Sequence, residues 1–148
     1  MASSKLYDDI LMGHIRDARN YRVMPDAQRH VEVTNPLCGD TFSIYLKLDG
    51  ERISDLSFQC ECCGISMASA SIMTEWLRGK SVAQALAIRR QFHEALKNAT
   101  EDLGPEAHTD HDAVLQVVRQ TPSRQGCADL AWVGLENALK QDQTQTGV

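Results

Sequence analysis

The sequence predicts an α+β fold, a three-stranded antiparallel sheet with helices packed on it. Three observations lead there. Between about Val31 and Cys60 apolar residues alternate with polar ones at a period of two, broken twice by turn residues. Before and after that block the apolar period is 3.6. The 148-residue length suits a single core.

Residues 4–17 read as a helix: Tyr7, Ile10, Leu11 and His14 share a face, and Ser3 or Ser4 can cap its start. A polar stretch runs on through Pro25. Val31 and Val33 alternate with polar neighbours until Asn35-Pro-Leu-Cys-Gly39 breaks the run. Phe42, Ile44, Leu46 and Leu48 alternate strictly, Asp49-Gly50 signals a hairpin, and Ile53 to Cys60 returns as the third strand.

After Gly64, the residues Ile65, Ala68, Ile72 and Trp76 line one helical face until Gly79 stops it. Ser81 can cap a second long helix carrying the stripe Ala85, Ile88, Phe92, Ala95 and Leu96. Residues 98–111 read as a polar loop, Ala113 to Val118 as a short helix ended by Thr121-Pro122. Ala128, Ala131, Trp132, Leu135, Ala138 and Leu139 define the last helix. The residues from about 141 to 148 are expected to fray. No internal repeat is present, and one domain over 1–148 is expected.

Composition narrows the function. Apolar residues make up 43% and charged residues 24%, as in ordinary globular proteins. Fifteen basic against 20 acidic side chains give a net charge of −5, which provides no electrostatic footprint for nucleic acid. No apolar run is long enough to span a membrane, and the first residues lack the apolar core of a signal peptide. A cytoplasmic location is therefore expected, where the five cysteines should stay reduced rather than form disulfides. Three of them crowd into Cys60-Glu-Cys-Cys63. Clustered thiols in a reducing compartment point to metal binding, redox or sulfur chemistry.

The thiols fall at element ends. Cys38-Gly39-Asp40 occupies the turn between the first two strands, where a thiol and a carboxylate can be aimed together. Cys63 lies at the junction of the third strand with a helix, and Cys127 near the start of the last helix. Both places are expected to favour thiolate through the helix dipole and unpaired N–H groups. Three thiols and one carboxylate suit tetrahedral Zn²⁺, and equally an iron–sulfur unit. Elsewhere, His108 and His111 lie in the polar loop without further ligands to complete a site, and Arg124 can stabilise a thiolate or sit as a surface charge. Lys80 suits a helix C-terminus, while Met73, Trp76 and Trp132 belong on core faces.

Four segments occur in a suggestive order: Asn35-Pro-Leu-Cys-Gly-Asp40; Phe58-x-x-x-x-Cys63-x-Ile-Ser-x-Ala-Ser69-x-Ser71-x-Met73; Gly79-Lys80; and Cys127-Ala-x-Leu-x-Trp132. Together they resemble the IscU/NifU-type iron–sulfur cluster assembly family over nearly the whole chain. The SufU branch is the nearer likeness. Gly126 stands where IscU-type scaffolds carry a histidine ligand, and an inserted segment over roughly 98–122 precedes Cys127. The resemblance implies a SufU/IscU-like fold and a zinc site made of Cys38, Asp40, Cys63 and Cys127. It also implies persulfide transfer from a SufS-type cysteine desulfurase to Cys38, which leaves the zinc as the desulfurase engages, and onward passage to downstream SUF assembly proteins. An IscU-like scaffold building a [2Fe–2S] cluster is the alternative, and a zinc-stabilised interaction domain without sulfur chemistry a third. One departure stands out: Cys60 and Cys62 replace the family's usual glycines, as alternative ligands, as a sulfur relay, or as tolerated small residues. Two positions apart, they share a side if the strand continues.

Overall fold

A computed structural model of the protein describes residues 2–35, 39–98, 114, 118 and 122–140. Helix α1 (Ala2–Arg16) is followed by strands β1 (Arg29–Thr34), β2 (Thr41–Asp49) and β3 (Arg52–Glu61). Helices α2 (Gly64–Leu77) and α3 (Val82–Asn98) come next, then a 3₁₀ turn (Pro122–Arg124) running into α4 (Gln125–Lys140). Val114 and Val118 are helical and buried. The expected loop over 98–111, apart from residue 98, and the tail over 141–148 lie outside the described residues, as do Cys38, His108 and His111.

The strands form one antiparallel sheet in the order β1-β2-β3, the predicted meander. Phe42, Ile44 and Leu46 of β2 and Ile53, Leu56 and Phe58 of β3 are fully buried, so the alternating side chains form the core face. The hairpin closes at Asp49↔Arg52, with Gly50 at φ 64°, a conformation open to glycine without a Cβ clash. A register shift at Lys47/Leu48 coincides with Leu48 being only partly buried. The free edge of β3 is covered: Phe58 N–H donates to the Asn20 carbonyl, and Arg22 N–H donates to the Phe58 carbonyl, each at 3.0 Å.

Helix α2 lies against β3, and α4 lies across β1 and β2. The periodicity predicted one buried stripe on α2. Instead it is buried nearly all round, because α1 and α4 pack on the faces the sheet leaves free. Its hydroxyls account for that burial. Ser69 donates to the Ala128 carbonyl of α4 at 2.6 Å, and Ser71 Oγ meets His14 Nδ1 of α1 at 2.7 Å. A polar group can be buried there because each finds a partner on a neighbouring element.

Helix α3 opens with the predicted cap. Ser81 Oγ accepts from Gln84 N–H at 3.1 Å, and Gln84 Oε1 accepts from Ser81 N–H at 3.0 Å. Its stripe packs on α4, where Phe92 stacks on Trp132 with ring centres 4.6 Å apart. Met73, Trp76 and Trp132 are core residues, as expected. Arg89, 8% exposed, ties the same helices by pairing with Asp129 at 2.8 Å and Glu136 at 3.2 Å.

Candidate metal and sulfur site

Three chain segments converge at the end of the sheet where β2 begins and β3 stops. The first is the turn between β1 and β2. Asn35 N–H donates to the Asp40 carbonyl at 2.9 Å, Gly39 N–H donates to the Asn35 carbonyl at 2.7 Å, and Gly39 adopts φ 78°. Only a residue without a Cβ takes that conformation readily, so Gly39 lets the chain double back and set Asp40 at the mouth of β2. Asp40 is buried at 6% exposure.

The second segment is the β3–α2 junction. Cys63 is the N-cap of α2, yet its side chain makes no capping hydrogen bond, which leaves Sγ available to face its neighbours. The third is the first turn of α4, where Cys127 is buried at 7% exposure. A carboxylate oxygen of Asp40 and the Sγ atoms of Cys63 and Cys127 all lie within 4.8 Å of one another. Tetrahedral zinc with bonds of about 2.0–2.3 Å sets its ligand atoms roughly 3.3–3.8 Å apart, so small side-chain movements suffice to close these three on one ion. Two thiols and a carboxylate are also the donor set a thiophilic divalent cation prefers.

Ser66 joins the three. Fully buried, its hydroxyl proton is shared between Asp40 Oδ2 at 2.7 Å and the Cys127 carbonyl at 3.0 Å, and its oxygen lies 3.4 Å from Cys63 Sγ. Sequence reasoning did not single it out as a site residue. The available signal was its position three residues after Cys63, polar on a helix otherwise rich in apolar side chains.

Of the predicted ligands, the structure brings together Asp40, Cys63 and Cys127; Cys38 lies outside the described residues, two positions before Asp40 in the chain. Cys60 and Cys62 correct the sequence reading in two ways. They form a disulfide with Cα atoms 5.6 Å apart, so these cysteines are not all reduced, and neither offers a thiolate to a metal here. The cause is geometric. Residues two apart in an extended segment project to one side at a separation a disulfide can bridge. Neither takes a positive φ, so the glycines usual at these positions are not required for the local backbone. Arg124 is exposed on the 3₁₀ turn.

A small antiparallel sheet with helices on one face, presenting thiols and a carboxylate from three element ends, defines a thiol-based metal or sulfur-handling domain. The chain belongs to the NifU-like N terminal domain family, whose pattern matches residues 6–128. It is 37% identical over 142 residues to the zinc-dependent sulfurtransferase SufU of Bacillus subtilis, covering 93% of this chain and 92% of that one. It is 35% identical to the iron–sulfur cluster assembly scaffold protein IscU of Streptococcus pyogenes, over 95% and 89% of the two chains. Among solved structures, a putative SUF-system scaffold protein from Fervidobacterium islandicum superposes with a TM-score of 0.77 at 29% identity, covering 92% of this chain and 98% of that one. No described helix is long and apolar enough to cross a membrane.

Proposed function

We propose that this protein serves iron–sulfur cluster assembly by accepting persulfide sulfur from a cysteine desulfurase and passing it on, with Zn²⁺ held by Cys38, Asp40, Cys63 and Cys127. The observation that carries this reading is the convergence of Asp40, Cys63 and Cys127 within 4.8 Å, at the foot of the turn whose chain contains Cys38. The near full-length likeness to a zinc-dependent sulfurtransferase supports it. When bound, the metal would supply Lewis acidity that holds thiols as thiolates at neutral pH.

The chain's own residues do the rest. Gly39 and the Asn35–Asp40 hydrogen bond hold the two described ends of the segment to which the acceptor, Cys38, belongs. Ser66 holds the Asp40 carboxylate in place from inside the protein, and its second hydrogen bond, to the Cys127 carbonyl, steadies the first turn of α4 that carries Cys127. A partner must deliver the sulfur, since nothing in the sequence resembles a pyridoxal-phosphate site able to extract it from cysteine. A desulfurase of the SufS type and downstream SUF assembly proteins fit that role in a cytoplasmic setting.

Metal analysis of protein purified without added zinc or iron tests the metal, with one zinc per chain expected. Cys38→Ala tests the acceptor. It should abolish stimulation of a cognate desulfurase while the fold survives, and full stimulation by that variant would sink the assignment.

A second reading has its own support in the near full-length likeness to an IscU scaffold. There the same ligands hold a [2Fe–2S] cluster as cargo. Anaerobic reconstitution that yields a stable cluster transferable to an apo-ferredoxin favours it, and zinc that resists replacement by iron favours the first. Gly126 stands where IscU-type scaffolds carry a histidine ligand, which also weighs toward the first.

A further inference from the structure

We infer that Cys60 and Cys62 form a built-in dithiol that reduces sulfur received at the site and releases it as sulfide. This rests on the persulfide-accepting reading above and adds a reaction to it. Three observations carry it. The two cysteines are bonded to each other, so the segment closes a Cys-Glu-Cys disulfide, the oxidised form of such a reductant. Cys62 immediately precedes Cys63, one of the converging thiols. The strand register adds a third: β2 and β3 end on the pair Thr41↔Glu61, and the next residue along each chain is Asp40 on one and Cys62 on the other. Cys62 thereby leaves the last rung of the ladder on the chain opposite the one that brings in Asp40.

Its surroundings suit a reacting pair. Tyr21 Oη donates to the Cys60 carbonyl at 3.0 Å and accepts from Cys60 N–H at 3.4 Å, fixing the backbone that carries the disulfide. A groove of about 430 Å³ lined by Tyr21, Thr41, Ser43, Gln59, Cys60 and Glu61 opens on the other face of the same strand ends, since Cys60 pairs with buried Phe42. On the inner side Cys60 Sγ lies 4.0 Å from Met67 Sδ of α2. Both cysteines are half-buried, so they are held by the protein yet reachable.

The chemistry closes without an added oxidant. A persulfide accepted at the site presents its outer sulfur to the Cys62 thiolate. The new Cys62 Sγ–S bond forms as the bond from that sulfur to the site cysteine breaks, and the site thiolate is regenerated. Cys60 thiolate then attacks Cys62 Sγ. The Cys60–Cys62 disulfide forms, and the outer sulfur leaves as HS⁻. The persulfide sulfur gains two electrons and the dithiol loses two. One persulfide and two thiols become one thiol, one disulfide and hydrogen sulfide. Further turnovers need an external dithiol to reopen the disulfide.

The test uses the full chain, reduced and then freed of reductant under anaerobic conditions. Glutathione persulfide serves as donor, with free sulfide and peptide masses as readouts. The wild type should release one equivalent of sulfide as the Cys60–Cys62 peptide becomes disulfide-bonded. Cys60→Ser should stall with a gain of about 32 Da on Cys62. Cys62→Ser should leave that gain on the site cysteines, and both variants should release less than about a tenth of the wild-type sulfide. Equal sulfide release by the variants, or a wild type that keeps its persulfide with Cys60 and Cys62 still reduced, overturns the inference while leaving persulfide acceptance intact. No mass gain and no sulfide from any of the three proteins overturns both. Circular dichroism of the variants checks the fold, and the position of the trapped sulfur in Cys60→Ser separates a relay from a structural role.

Discussion

The Ser66 hydroxyl lies 2.7 Å from Asp40 Oδ2, both groups are buried, and the same hydroxyl reaches the Cys127 carbonyl. One small side chain on α2 therefore ties the β1–β2 turn to the first turn of α4. A buried carboxylate without a donor pays a desolvation cost that this hydrogen bond offsets.

Ser66→Ala should accordingly cost about 1–3 kcal/mol of stability, read as a lower denaturant midpoint. It should also weaken zinc retention by about 10–100-fold in competition with a chromogenic chelator, because the ligand it orients becomes free to turn. Ser66→Thr, which keeps the hydroxyl, should recover part of the retention. Unchanged zinc affinity in Ser66→Ala would remove Ser66 from the site.

Metal removal should soften the protein without unfolding it. The core runs from Leu11 of α1 through β2, β3, α2, α3 and α4, and nearly all of its side chains are apolar ones outside the site, Cys127 being the exception. Chelation should lower the melting temperature by the equivalent of about 3 kcal/mol at a hundredfold excess over the dissociation constant, with the far-ultraviolet circular dichroism retained. A chelated protein with a random-coil spectrum would instead make the metal the organiser of the fold.

The α3–α4 contact should be acid-sensitive. Glu136 is held below its ordinary pKa of 4.5, chiefly by the hydrogen bond from Lys140 and also by Arg89. A carboxyl depressed in the folded state contributes stability that is present above its unfolded pKa and lost as pH falls through its folded one. Glu136→Gln should therefore flatten the stability profile below about pH 4.5 while lowering stability at neutral pH. Arg89→Ala should cost about 1–3 kcal/mol, since its nearly buried guanidinium is the group that ties α3 to Asp129 and Glu136 of α4. Urea titrations at neutral and acid pH measure both.

Gly134→Ala tests how closely α4 lies on the sheet. A Cβ at that position would come within 2.9 Å of Ile44 Cγ1 and 3.1 Å of a Val33 methyl. The helix would have to lift from β1 and β2, at a cost of about 1–3 kcal/mol. A melting temperature equal to wild type would show that the interface can slide instead.

The sequence by itself determined the elements, because each rests on local physics. Alternation made Phe42, Ile44 and Leu46 one face of a strand, Gly50 permitted the hairpin, Ser81 capped α3, and the stripe from Ala128 to Leu139 made α4 amphipathic. It also placed Cys63 and Cys127 at helix starts, since element ends are legible in the same signals. What joins elements far apart in the chain was decided only by tertiary structure. Ser66 reads as an ordinary helix serine until Asp40 and Cys127, 26 and 61 residues away, close on it. The burial of α2 on nearly every side follows from α1 and α4 packing around it, which no period within α2 encodes. Cys60 and Cys62 show the boundary. The strand's period of two put them on one side, but whether they serve as ligands or bond to each other depended on how β3 ends against α2 and the site.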